Sequence, residues 1–125
     1  MRKQTVFVCD DDPGIVDVVK IVLEDAGYTV VASRDSEKVV TTVKRLIPDL
    51  ILIDLWMPSL GGEQLVPILK KDKDCMQIPV IVISASKDTQ EVAARVGADG
   101  YLCKPFDIDD LEQIVKKHLL LSARQ

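Results

Sequence analysis

Residues 6–13 read VFVCDDDP. An apolar run passes directly into three aspartates, Asp10, Asp11 and Asp12. An unbroken run of Val and Phe suits a strand covered on both faces. Like charges repel, and a dry, unpaired carboxylate is costly, so acids at the end of such a strand need something to hold them. Residues 50–53, 80–83 and 101–103 carry the same short, scarcely alternating apolar signature, and residues 28–32 are a fifth candidate strand.

Helical patterns separate these runs. Ile15, Val18, Val19, Val22, Leu23 and Ala26 follow the i, i+3, i+4, i+7 spacing of one apolar stripe. Asp12 suits the cap of that helix, Pro13 its first turn and Gly27 its stop. Val39, Val40, Val43, Leu46 and Ile47 repeat the stripe, with Asp35 or Ser36 as cap. Ile108, Leu111, Val115 and Leu119 give another, with Asp107 as cap. Residues 88–96 read as a weakly amphipathic helix. Around residues 65–69 the pattern is weaker, and Pro67 belongs near a first turn because it breaks a helix interior. A strand-helix order repeated five times implies α/β class and a doubly wound parallel sheet. Such sheets bind ligands at the carboxyl ends of their strands. Residues 1–125 read as a single domain, without linker, repeat or low-complexity tract.

With 47% hydrophobic residues in 125, the chain can bury a core and is not of the disordered type. A net charge of −4 argues against bulk attraction to nucleic acid or acidic lipid. No apolar run approaches the roughly 20 residues of a membrane span. The basic start Met1-Arg2-Lys3 leads into acid rather than a signal peptide's apolar stretch. Cys9, Cys75 and Cys103 lack metal-ligand spacing and read as buried reduced thiols of a cytoplasmic protein.

The residues that follow the strands carry the chemistry: Asp10, Asp11 and Asp12 after the first, Asp54 after the third, Ser84 after the fourth and Lys104 after the fifth. Singly each has a plainer reading. Asp12 is most simply a helix cap, Asp10 and Asp11 solvated loop acids, Asp54 a turn residue, Ser84 a loop cap and Lys104 a surface lysine. Together on one rim, the carboxylates would repel unless a hard cation such as Mg²⁺ held them. An aspartate beside that cation can attack phosphorus, and a lysine, a hydroxyl and backbone N–H groups can spread the resulting charge.

The segments VCDDDP, PDLILIDLWMP, VIVISAS and GADGYLCKPF, in this order and spacing, resemble a bacterial response-regulator receiver domain of the chemotaxis-regulator type. The resemblance covers roughly residues 5–120. It implies a flavodoxin-like (βα)5 fold with strand order 2-1-3-4-5. Asp54 is by resemblance the phosphoacceptor, and Asp10 and Asp11 the acidic pair. Asp11 would bind Mg²⁺ directly and Asp10 mostly through water, with Asp54 and the Trp56 backbone carbonyl as the other protein ligands; Mn²⁺ would substitute. Ser84 and Lys104 would contact the phosphoryl oxygens, and Tyr101 would turn inward as Ser84 moves. A cis Lys104–Pro105 bond is implied.

The family's phosphoryl donor is a phosphohistidine on a sensor histidine kinase or phosphotransfer protein. The lone His118 is not that donor; it falls on the last helix, packed or half exposed. The acyl phosphate would hydrolyse slowly, as a timed switch rather than a turnover enzyme. The surface of the fourth helix, fifth strand and fifth helix would carry the signal to a target protein or output domain. No membrane or direct nucleic-acid partner is implied, and the expected state is a monomer or a phosphorylation-dependent dimer. The polar end, residues 122–125, reads as a tail or the stub of a linker, so the chain is either a stand-alone regulator or the receiver of a larger protein.

Some positions depart from the family pattern: Cys9 for an aliphatic residue, Ser84 for Thr, and Gly61 for Asp, which implies a more flexible loop after Asp54. Trp56 is large for its place, and two readings of it stay open: it screens the phosphoryl group from water, or it simply lies over the surface. Two rival readings stay open: a pseudo-receiver that only binds partners, and a haloacid-dehalogenase-like phosphatase with Asp10 as nucleophile. The phosphatase lacks its usual Thr, because Gly14 stands there, and leaves Asp54 idle.

Overall fold

Five extended segments form, β1 (Thr5–Cys9), β2 (Thr29–Ser33), β3 (Leu50–Asp54), β4 (Val80–Ser84) and β5 (Gly100–Cys103), of which β1, β3 and β4 are apolar runs covered on both sides. The computed structural model describes residues 3–123; Met1 and Arg2 of the basic start, and Arg124 and Gln125 of the polar end, lie outside the described residues. All strand pairs are parallel, in the order β2-β1-β3-β4-β5. The register sets Cys9 beside Ile53, Asp54 beside Ile83 and Ser84 beside Cys103. The strands therefore end together along one rim. The Lys104–Pro105 bond is cis.

Successive strand side chains point to opposite faces, and the core divides accordingly. Val6, Val8, Leu50, Leu52, Ile81 and Ile83 pack with α1 (Pro13–Asp25) and α5 (Ile108–Ala123). Phe7, Cys9, Ile51, Ile53, Val80 and Val82 pack with α2 (Val39–Leu46), α3 (Gly62–Lys71) and α4 (Thr89–Val96). Among the described residues, no helix is long and apolar enough to cross a membrane.

The helix ends follow local chemistry. Asp12 caps α1 by accepting the Gly14 N–H at 2.9 Å, and Gly27 takes the left-handed turn beyond its end with φ 102°. Asp35 caps a single 3-10 turn, Ser36–Lys38, that leads into α2.

Several apolar positions lie elsewhere than the stripes imply. Val16 is buried in α1 and Val18 is 43% exposed, so the buried stripe is turned toward Val16, Val19 and Leu23. Ile108 is exposed at the start of α5, ahead of the first turn that reaches the sheet. Pro67 stands inside α3, in its second turn rather than its first. β5 is an edge strand with only Leu102 buried, so Tyr101 and Cys103 face outward and Cys103 is not a buried thiol.

Ile47 is the C-cap of α2, in the left-handed region with φ 47°, and is half exposed rather than part of the buried stripe. A β-branched residue is strained there, whereas Asn tolerates that conformation. Ile47→Asn is therefore expected to raise stability by about 1 kcal/mol in denaturant unfolding. A core position would instead lose about 2 kcal/mol or more, and that outcome would refute the assignment.

Candidate functional site

Four strand ends build the site. Asp10 follows β1 directly and is fully buried. Its N–H donates to the Ser33 carbonyl at 3.3 Å, and its Oδ1 accepts the Asp12 N–H at 2.9 Å. Asp54 closes β3, and its Oδ1 accepts the Trp56 N–H at 3.2 Å. The next N–H, of Leu55, donates to the Ile83 carbonyl at 2.9 Å, which holds the turn against β4. Ser84 closes β4, buried, with its Oγ accepting the Ser86 N–H at 3.0 Å. Lys104 follows β5 and is fixed to β4 by its own N–H, which donates to the Ser84 carbonyl at 2.8 Å. From there its Nζ lies 3.0 Å from Asp10 Oδ2 and 3.2 Å from Asp54 Oδ2.

Of the residues expected at the rim, the structure thus brings Asp10, Asp54 and Lys104 into contact, with Ser84 tied to Lys104 through the backbone. Asp11 is exposed at the edge of the cluster. The Asp12 side chain caps α1, and only its N–H reaches the site, at Asp10 Oδ1. Tyr101 stays at the surface, paired with Val82 two positions before Cys103 meets Ser84. His118 is half-buried, its ring nitrogens against the Ile114 and Asp99 carbonyls at 2.9 and 3.1 Å.

Two tethers carry no sequence signal beyond common hydroxyls. Ser36 Oγ donates to the Pro58 carbonyl at 3.2 Å, and Thr89 Oγ1 donates to the Ser86 carbonyl at 2.6 Å. They fix the loops that border the rim.

The electrostatics of the cluster are unbalanced. Burial, then the neighbouring Asp10 charge, pushes the Asp54 carboxyl above the ordinary range; the Trp56 N–H and Lys104 oppose this without cancelling it. Burial alone would lower Lys104, but hydrogen bonding and charge from Asp10, then Asp54, turn the net direction upward. The Cys9 thiol beneath the rim is pushed up to about 12 by burial first and then by Asp10, Asp35, Asp54 and Asp11, which keeps it protonated and inert.

One buried atom lacks an aligned donor. Asp10 Oδ2 has the Lys104 charge nearby but no hydrogen-bond partner among the described residues. Oxygens of Asp10, Asp11 and Asp54 all lie within 4.8 Å of one another. An all-oxygen set with an orphaned carboxylate oxygen fits a hard divalent cation such as Mg²⁺.

Removing the Asp54 charge should stabilise the chain in a chelator. The folded state holds the Asp54 proton more tightly than the unfolded chain, whose carboxyl titrates near 3.9. Ionising it therefore subtracts stability as pH rises from about 4 through the raised folded value. Asp54→Asn is expected to unfold at a higher temperature than wild type at pH 7, with the gap closing below about pH 4. An Asn variant no more stable at pH 7 would contradict this account.

Comparison with known proteins places these features. A family model described as response regulator receiver domain matches residues 6–116. The chain is 33% identical over 119 residues to the DNA-binding response regulator MtrA of Mycolicibacterium smegmatis, covering 94% of this chain and 51% of that one. It is 38% identical over 108 residues to the DNA-binding dual master transcriptional regulator RpaA of Synechocystis, covering 85% and 45%. The chain thus spans about half the length of these relatives. The signal receiver domain of a signal transduction histidine kinase from Syntrophus aciditrophicus matches with a TM-score of 0.89 at 29% identity, over 98% of this chain and 94% of that one. The chemotaxis response regulator CheY4 of Vibrio cholerae shares the fold, with a TM-score of 0.87 at 24% identity over 94% and 99%.

Proposed function

The chain belongs to the response regulator receiver domain family of two-component signalling, and we propose that Asp54 is the residue that takes up the phosphoryl group. The observation that carries this reading is the meeting of Asp10, Asp54 and Lys104 at the ends of three parallel strands. Asp54 is the better nucleophile of the two buried acids. The Asp10 side chain has no exposed surface, whereas that of Asp54 keeps 8%. This argues against the phosphatase reading built on Asp10.

In the proposed reaction an Asp54 oxygen attacks the phosphorus of a phosphohistidine. The P–N bond breaks, its electron pair returns to the donor imidazole, and an acyl phosphate forms on Asp54. Lys104 Nζ, already 3.2 Å from Asp54, donates to a phosphoryl oxygen, and the Ser84 hydroxyl donates to another. Asp10, Asp11, Asp54 and the Trp56 carbonyl would hold Mg²⁺, which when bound neutralises charge between carboxylates and phosphoryl oxygens. Water then cleaves the acyl phosphate and restores Asp54.

The proposed donor is a sensor histidine kinase or phosphotransfer protein in the cytoplasm, and the receiver of the signal a target protein or an output domain. Residues 1–125 act as one receiver unit, with Tyr101 as its switch aromatic and no direct contact to nucleic acid.

Incubation with acetyl phosphate, followed by intact mass, tests the reading. A single phosphoryl adduct is expected that requires both Mg²⁺ and Asp54 and is absent from Asp54→Asn. An adduct that persists in Asp54→Asn and disappears in Asp10→Asn would restore the phosphatase reading; no adduct at all would favour the interaction module.

Trp56 stands two residues beyond Asp54 with its side chain half exposed. A large ring there obstructs the approach of water. Trp56→Asn is expected to lose phosphate severalfold faster than wild type in vitro, and an equal or slower loss would remove Trp56 from this role.

A further inference from the structure

The loop after Asp54 meets α3 at two consecutive glycines, Gly61 and Gly62. Gly61 has φ −106°, which any residue adopts, so torsion does not demand glycine. Contact does. A Cβ on Gly61 would lie 2.1 Å from the Leu55 carbonyl oxygen, 2.9 Å from the Leu55 carbonyl carbon and 3.0 Å from the Met57 nitrogen. These atoms belong to the two peptide units on either side of Trp56. Any side chain there would require this backbone to shift, so the loop is closely packed rather than loosened.

The parts in contact are not equally free to give way. The Gly61 N–H donates to Gln64 Oε1 at 2.9 Å, and its carbonyl accepts the Leu65 N–H at 3.0 Å. Leu65, Val66 and Leu69 anchor α3 in the core. Leu55 is buried, and its N–H is bound to β4. Trp56 is half exposed, and among the described residues its N–H is held by the Asp54 side chain. The nearest atom, the Leu55 carbonyl oxygen, accepts among the described residues only the Glu63 N–H at 3.4 Å from the first turn of α3, so a side chain at position 61 would push on the 55–56 peptide and with it on Trp56.

We propose that Gly61 is a positioning residue for the Trp56 carbonyl, and so for Mg²⁺ affinity. The proposal rests on the metal reading above. Trp56 is the only tryptophan and supplies the probe. Mg²⁺ is titrated into wild type, Gly61→Ala and Gly62→Ala while Trp56 fluorescence is followed, and thermal unfolding of each is recorded in chelator. Gly62→Ala is the matched control, since its Cβ would press on the Asp54 carbonyl oxygen at 3.1 Å and not on the 56–57 peptide. Gly61→Ala is expected to remain folded in chelator and to need roughly tenfold more Mg²⁺, the scale of loss when a metal ligand's support is removed. Gly62→Ala should change the midpoint much less. Equal loss in both variants would mean general loosening and overturn the proposal, as would unchanged affinity in Gly61→Ala or its failure to fold. A wild type without any Mg²⁺ response would instead sink the metal reading, and this inference with it.

Discussion

Two buried carboxylates share one ammonium, and the rest of the molecule is arranged around that imbalance. Asp10 and Asp54 would each be costly to bury alone, and Lys104 lies within ion-pair distance of both. Such a cluster persists only if the three strand ends are delivered accurately. The register does this: a slip of one residue would exchange the two faces of a strand, undo its packing and carry its terminal acid off the rim. The hydrophobic pattern that covers both faces of the sheet is thus also what keeps the acids together. Stability and chemistry are opposed at Asp54, whose raised carboxyl pKa marks a site that folds despite its charge.

The sheet was legible because its central strands are apolar on both faces, and their shortness and β-branched content favour strands over buried helix. Edge strands were less so. β5 has one buried side chain, Leu102, and its outward neighbours Tyr101 and Cys103 look apolar in sequence without being covered. The helices were legible as periods but not as phases. In α1 the stripe counts Val18 and passes over the equally apolar Val16, and only the packing of the helix on the sheet decides that Val16 is the buried one. Ile47 continues the apolar pattern past the point where the backbone leaves the helix, a fact about φ that composition does not carry.

The site divides along a similar line. Residue types at strand ends could be read, and Asp12 separates from Asp10 and Asp11 by its capping role. What could not be read is contact between main-chain atoms. Gly61 and Gly62 suggest flexibility as a dipeptide, yet in the fold they let α3 press on the backbone of residues 54–57. Glycine marks both freedom and close approach, and only packing tells them apart.

The same connections that build the rim also lead away from it. A hydroxyl can accept one hydrogen bond while donating another. Ser84 accepts the Ser86 N–H, Ser86 accepts from Thr89 at the start of α4, and the Ser84 carbonyl holds the Lys104 N–H next to β5. On the proposed reading, phosphoryl oxygens on Asp54 compete with Asp10 for Lys104 Nζ and supply an acceptor for the Ser84 hydroxyl. Both changes act on groups already bonded to α4 or β5. A ligand shifts an equilibrium only through contacts that differ between its two states. Here the differing contacts are two hydrogen-bond donors: Lys104 directly follows β5, and Ser84 reaches α4 through Ser86 and Thr89. The charge change need not travel far, because β4 and β5, whose ends carry Ser84 and Lys104, pack beside α4.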